Sequence, residues 1–145
     1  MQNLDQILKP ENLLPLVLMV VALLSLRWLP RLLSGAAFKP PAALHAALAA
    51  DAETVVIDVR SEAEFTSSLG HVPGSLNVPL NDLASRLMNN RDSLSAYQGN
   101  TVWVVCRSGQ RATTAARLLK RYGLSAIVLD GGMLKWKSAG LAVEQ

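Results

Sequence analysis

The sequence predicts an α/β domain, a parallel sheet flanked by helices on both faces, preceded by one transmembrane helix. Three observations carry this expectation. The runs TVVIDV (residues 54–59), TVWVV (101–105) and AIVL (126–129) are apolar almost without interruption, as strands covered on both faces must be. Segments with helical spacing separate them, the alternation that builds parallel sheets. Finally, the apolar excess is concentrated near the N-terminus, where Leu13 to Leu26 reads LLPLVLMVVALLSL with no charge in 14 residues.

The first segment, residues 1–33, reads as a membrane anchor. Fourteen residues fall short of the roughly 20 that a bilayer span needs. A snorkelling Arg27 would extend the buried stretch to residues 13–29, with Trp28 at the interface. Asn12 is placed to cap the helix, Pro15 is tolerable in its first turn and Pro30 can stop it. A core helix, a cleaved signal peptide and an interfacial helix compete with this reading. A helix apolar on every face is unusual in a small core. A cleaved signal would want a basic start, whereas Asp5 and Glu11 offset Lys9, and an interfacial helix needs a polar face. Arg27, Arg31 and Lys39 after the run outnumber Lys9 before it, which places the C-terminal portion of the chain on the cytoplasmic side of the inner membrane.

Residues 34–41 (SGAAFKPP) read as a linker, and 42–145 as the globular domain. Within it, Ala42–Ala50 is a short alanine-rich helix and Thr54–Val59 the first buried strand. Glu62–Ser67 reads as a short helix, Gly70–Gly74 as a turn and Ser75–Val78 as a short strand. Asn81 would cap a helix carrying Leu83 and Leu87 on one side. Thr101–Val105 is the second strand. Arg111–Tyr122 is an amphipathic helix with Ala112, Ala115, Ala116 and Leu119 inward and Gly123 ending it. Ala126–Leu129 is the third strand and Met133–Ser138 the last helix.

Composition excludes several classes. Half of the 145 residues are apolar and 17% are charged, which is no disordered chain; the mean hydropathy is +0.25. A single cysteine forms no intramolecular disulfide, and with only His45 and His71 beside it a zinc site is not expected. No cofactor is implied. A net charge of +3, dispersed along the chain, gives no reason to expect nucleic acid as a partner.

The lone cysteine stands where ligands bind in open α/β sheets, at the carboxyl end of a strand. Cys106 follows TVWVV directly, and Arg107, Ser108, Gly109, Gln110 and Arg111 lead into the helix. Backbone N–H groups at a helix start can gather on an anion, the helix dipole adds positive potential, and two arginines bracket the loop. Each factor favours thiolate over thiol, so the loop reads as a nucleophile in an anion-binding cradle. A buried structural cysteine is the plainer alternative, but it gives no role to the arginines and the glycine.

Four motifs in this order resemble a single rhodanese domain. They are Asp58-Val59-Arg60 with Glu64-Phe65, then Gly70-His71-Val72-Pro73-Gly74-Ser75 with Asn77-Val78-Pro79-Leu80, then Cys106–Arg111, then Gly131-Gly132 with Trp136. The match covers about Ala42 to Leu141. The loop, with Cys first and Arg sixth, is one residue shorter than the Cys-x5-Arg cradle of phosphatase relatives, so phosphatase spacing fails.

The resemblance implies a sulfurtransferase. Cys106 would take the outer sulfur of a small anionic donor such as thiosulfate as a persulfide and pass it to a thiol or cyanide acceptor. It implies that the loop residues 107–111 bind the substrate, Arg111 orienting the loop and attracting the anion, Arg107 recognising the donor. It places Asp58 and Arg60 near the loop as orienters or an ion pair; a capped, solvated pair is the alternative. His71 reads as turn chemistry, His45 as incidental, and Trp103 and Trp136 as packing. Residues 66–69 lengthen the turn before Gly70 beyond what many family members carry. The competing function is a membrane-tethered binding or scaffold module on the same fold; retention of the cysteine and its whole loop favours the enzyme. A lipid bilayer at residues 13–29 is the expected further partner.

Overall fold

The computed structural model describes residues 10–51, 53–90 and 100–145. The chain divides into two compact units, Met1–Leu33 and Ser34–Gln145. In the first, helix α1 spans Pro10–Ser34. It contains Asn12, so that residue is not its cap, and it continues past Pro30. A proline removes one N–H donor but leaves the residues after it free to stay helical.

The expected transmembrane helix is not supported: among the described residues, no helix is long and apolar enough to cross a membrane. Fourteen apolar residues rise about 21 Å at 1.5 Å per residue, against about 30 Å of hydrocarbon. What α1 does show is unburied apolar surface, its large side chains from Leu14 to Leu33 being 44–77% exposed. Asp5 and Lys9 lie outside the described residues, and the side chains of Arg27 and Arg31, on which the snorkelling and charge-bias arguments lean, lie outside the described ones.

The second unit is a five-stranded, wholly parallel sheet. Its strands are β1 (Ala37–Lys39), β2 (Val56–Asp58), β3 (Leu76–Asn77), β4 (Thr101–Val105) and β5 (Ser125–Leu129), in the spatial order β1-β5-β4-β2-β3. The helices are α2 (Pro41–Ala50), α3 (Glu62–Phe65), α4 (Leu80–Asn89), α5 (Gln110–Arg121) and α6 (Gly132–Ser138). The stretch expected to be a linker therefore holds a strand: Ala37, Phe38 and Lys39 pair with Ile127, Val128 and Leu129. Asn81 lies inside α4, whose N-cap is Pro79 without a side-chain hydrogen bond.

Period-two alternation along β4 divides the core. Val102, Val104 and, just beyond the strand, Cys106 point to one face, where Leu83 and Leu87 of α4 and Ala112, Ala115, Ala116 and Leu119 of α5 cover them. Trp103 and Val105 point to the other, against Leu44 of α2 and Met133 and Trp136 of α6. Helix α5 ends as the sequence suggests: the N–H groups of Gly123 and Leu124 donate to the carbonyls of Lys120 and Leu119, closing the last turn around a glycine at φ 80°.

Candidate active site

Strand β4 delivers Cys106 to the end of the sheet, and the chain turns at once into α5. The thiol is a free cysteine, and the residue is 1% exposed. The Gly109 N–H donates to its Sγ at 3.0 Å. Gly109 caps α5 with φ 101° and ψ −15°, a conformation that side-chain-bearing residues rarely adopt. The Gly109 carbonyl accepts from the Thr113 hydroxyl at 2.9 Å and the Thr113 N–H at 3.1 Å, holding the turn against the helix.

The loop is also tied to α6. The Met133 N–H donates to the Cys106 carbonyl at 2.9 Å and the Leu134 N–H to the Arg107 carbonyl at 3.1 Å. Gly132 makes that approach possible, because a Cβ there would strike the Cys106 carbonyl oxygen and come within 2.7 Å of the Arg107 carbonyl. Its φ of 55° adds to the constraint. Since backbone cannot step aside as a flexible side chain can, Gly132→Ala is expected to lower stability by about 1–3 kcal/mol. A urea midpoint within error of the parent's would show that the loop yields freely.

Side chains of the loop part company. Arg107, Ser108 and Gln110 are exposed. Arg111 is half-buried and bound to Glu64: Nη1 donates to Oε2 at 2.6 Å and Nη2 to Oε1 at 2.7 Å. The guanidinium expected to attract an anion is thus already paired with a carboxylate. That contact holds the Glu64 carboxyl down at about 2, against 4.5 for a free one, and raises Arg111 in turn, so both stay charged at neutral pH. Glu64 was legible only as part of the Glu64-Phe65 motif, with no role. The signal that could have found it is the Ser61-x-x-Glu64 capping box, which is formed: the Glu64 N–H donates to Ser61 Oγ, and Glu64 Oε2 accepts from the Ser61 N–H.

Asp58 and Arg60 form a buried ion pair, both 0% exposed, which replaces the solvated alternative. Arg60 Nη2 donates to Asp58 Oδ2 at 2.7 Å and to the Gly70 carbonyl at 2.8 Å; Nη1 donates to the Glu64 carbonyl at 3.1 Å. Asn77 Nδ2 closes the cluster on the carbonyls of Asp58 and Arg60. The pair therefore pins α3 and the Gly70 turn to the end of β2. His71 serves the same turn, its ring stacked on Phe65 at 3.6 Å and its Nδ1 3.1 Å from the Phe65 carbonyl. His45 is not wholly incidental, since its ring lies 6.5 Å from Trp136.

Among the described residues no group of three or more His, Cys, Asp or Glu is arranged to hold a metal. Two clefts, of about 340 Å³ beside Lys39 and Lys120 and about 420 Å³ between His45, Pro73 and Trp136, are lined by no residue of the Cys106 loop. The arrangement can thus present one buried sulfur with an amide donor on it, in a loop whose next residue, Arg107, is an exposed cation.

Comparison with known proteins matches the family model described as "Rhodanese-like domain" to residues 41–139. Among curated proteins, the chain is 34% identical over 96 residues to the HTH-type transcriptional regulator Rv0324 of Mycobacterium tuberculosis, covering 64% of this chain and 38% of that protein. It is 31% identical over 90 residues to adenylyltransferase and sulfurtransferase uba4 of Ogataea parapolymorpha, covering 61% and 21%. The chain therefore spans well under half the length of these relatives. Among solved structures, human single-domain sulfurtransferase TSTD1 superposes with a TM-score of 0.61 at 26% identity, covering 72% of this chain and 97% of that one.

Proposed function

Because the chain belongs to the rhodanese-like family, we propose that it transfers a sulfane sulfur through a persulfide on Cys106. The observation that carries this reading is the sulfur of Cys106 held at 3.0 Å by the Gly109 amide at the start of α5. The thiolate attacks the outer sulfur of a small anionic donor such as thiosulfate. A new sulfur–sulfur bond forms, the donor's own sulfur–sulfur bond breaks, and sulfite departs with its electron pair. A thiol, as its thiolate, or cyanide then attacks the outer sulfur and releases the Cys106 thiolate. No external oxidant or reductant enters, and no general base is needed while the thiolate persists.

In this reading the loop amides bind the negative charge as an oxyanion hole does. Arg107, exposed and next in the chain to Cys106, recognises the donor, and the exposed Ser108 and Gln110 line its approach. The decisive measurement is the intact mass of the 34–145 domain after thiosulfate and removal of excess donor. One added sulfur, released again by cyanide, is expected; an unchanged mass with thiosulfate and with a low-molecular-weight persulfide would leave the fold serving as a binding module.

The exposed apolar surface of α1 supports a second element of the reading, attachment to the inner membrane through residues 13–29 with the domain on the cytoplasmic side. The full chain is expected to sediment with membranes and to need detergent for release, whereas residues 34–145, which keep β1, stay soluble and folded. A full chain that remains in the supernatant without detergent would assign the apolar helix to a protein partner.

A further inference from the structure

We infer that Glu64 is a positioning residue for sulfur transfer, and that its bidentate pairing makes Arg111 a strut of the active loop instead of a donor-binding cation. This rests on the persulfide reading above and assigns a role within it.

The geometry builds Glu64 from both sides. On its own helix, the carboxylate is held by the Ser61 N–H at 3.3 Å and the Ser61 hydroxyl at 3.2 Å. Its carbonyl accepts from Arg60, which is itself locked in the buried pair with Asp58. The carboxylate therefore reaches Arg111 from an anchored position, not from a free surface side chain. Arg111, the second residue of α5 after its cap at Gly109, needs such a partner. A cation in the first turn of a helix opposes the helix dipole, and a carboxylate beside it restores the balance.

The same two oxygens that satisfy this charge occupy both terminal nitrogens of the guanidinium. A donor anion reaching Arg111 would have to displace a bidentate carboxylate. What Glu64 fixes instead is the start of α5, and with it the Gly109 amide that points at Cys106. The path of support runs from Asp58 and Arg60 through Glu64 and Arg111 to Gly109. Each link is a contact of 3.1 Å or less up to Arg111, which lies two residues from the amide.

This predicts kinetics that an anion-binding Arg111 would not give. The rate of Cys106 persulfide formation would be followed by quenched-flow mass measurement over a range of thiosulfate, in the 34–145 domain and in Glu64→Gln, Arg111→Ala and the double variant. Each single variant is expected to lower the limiting rate about 10- to 100-fold, the size of a lost charge-assisted contact, with half-saturating thiosulfate unchanged within about twofold. The double variant is expected to fall no further than the worse single one, because both remove the same link. Alkylation of Cys106 by iodoacetamide at neutral pH is expected to slow by a common factor in all three. A raised half-saturation in Arg111→Ala with an intact limiting rate would overturn the inference, as would additive losses or a Glu64→Gln that behaves as the parent. Should the parent accept no sulfur from any donor, the persulfide reading fails, and the alkylation series alone decides whether Glu64 and Arg111 hold the loop: equal slowing sustains the strut, unequal or absent slowing removes it.

Discussion

Cys106→Ser is expected to remove sulfur transfer entirely while leaving the domain folded. Serine keeps the shape of cysteine with a somewhat smaller terminal atom, so it fits a site that is 1% exposed without strain, and the Gly109 N–H can donate to a hydroxyl as it does to sulfur. Chemistry, not packing, makes the difference: a serine hydroxyl is a far weaker nucleophile at neutral pH and carries no persulfide. Parallel mass and cyanide-release assays on parent and variant check it, with a thermal melt to confirm folding. Residual transfer above about 1% of the parent rate would mean that the sulfur is carried by another group.

The largest effect on stability is expected from Arg60→Met. It leaves the Asp58 carboxylate buried at 0% exposure with its cation gone, and removes the Arg60 donors from the Gly70 carbonyl and from the Glu64 carbonyl, the latter keeping the Ser67 hydroxyl. Breaking a buried pair from one side costs about 3–5 kcal/mol, against a total of about 5–15 kcal/mol for a domain of ordinary stability. Urea unfolding of residues 34–145 measures it. The companion Asp58→Asn/Arg60→Met is expected to recover part of the loss, because no bare charge stays inside. A loss below about 1 kcal/mol in the single variant would show that water reaches the carboxylate.

The parts of the fold legible in the sequence were those fixed by local pattern. Strand β4 and helix α5 announce themselves by a continuous run of β-branched and aromatic residues and by the spacing of Ala112, Ala115, Ala116 and Leu119, all four buried as that spacing requires. The Cys106 loop was legible because strand end, glycine and helix start are contiguous. Strand β1 was not: the four residues between Ser34-Gly35 and Pro40-Pro41 carry too little alternation to read, and the ladder partner of Ala37–Lys39 lies near the other end of the chain. The burial of Asp58 and Arg60 was hidden for a similar reason, since what makes two charges tolerable inside is supplied by the carbonyls of Glu64 and Gly70. Arg111 is the instructive case. Its nearness to the loop was plain, yet its partner stands 47 residues earlier, and charge beside a loop does not disclose whether that charge is free.

The sheet order β1-β5-β4-β2-β3 has a consequence for how the protein comes off the ribosome. Ala37 pairs with Ile127, 90 residues later, so the first strand made must wait for the last. At roughly 5–20 residues per second, that wait is roughly 5–20 s. During it the ladder grows from the β3 edge through β2 and β4 to β5, and Phe38 has no neighbouring strand to rest on. The apolar helix α1 is made before all of them. Under the attachment proposed for α1, the chain would be held at one end while β1 is still open, and β1 would close onto β5 in a tethered chain, not a free one.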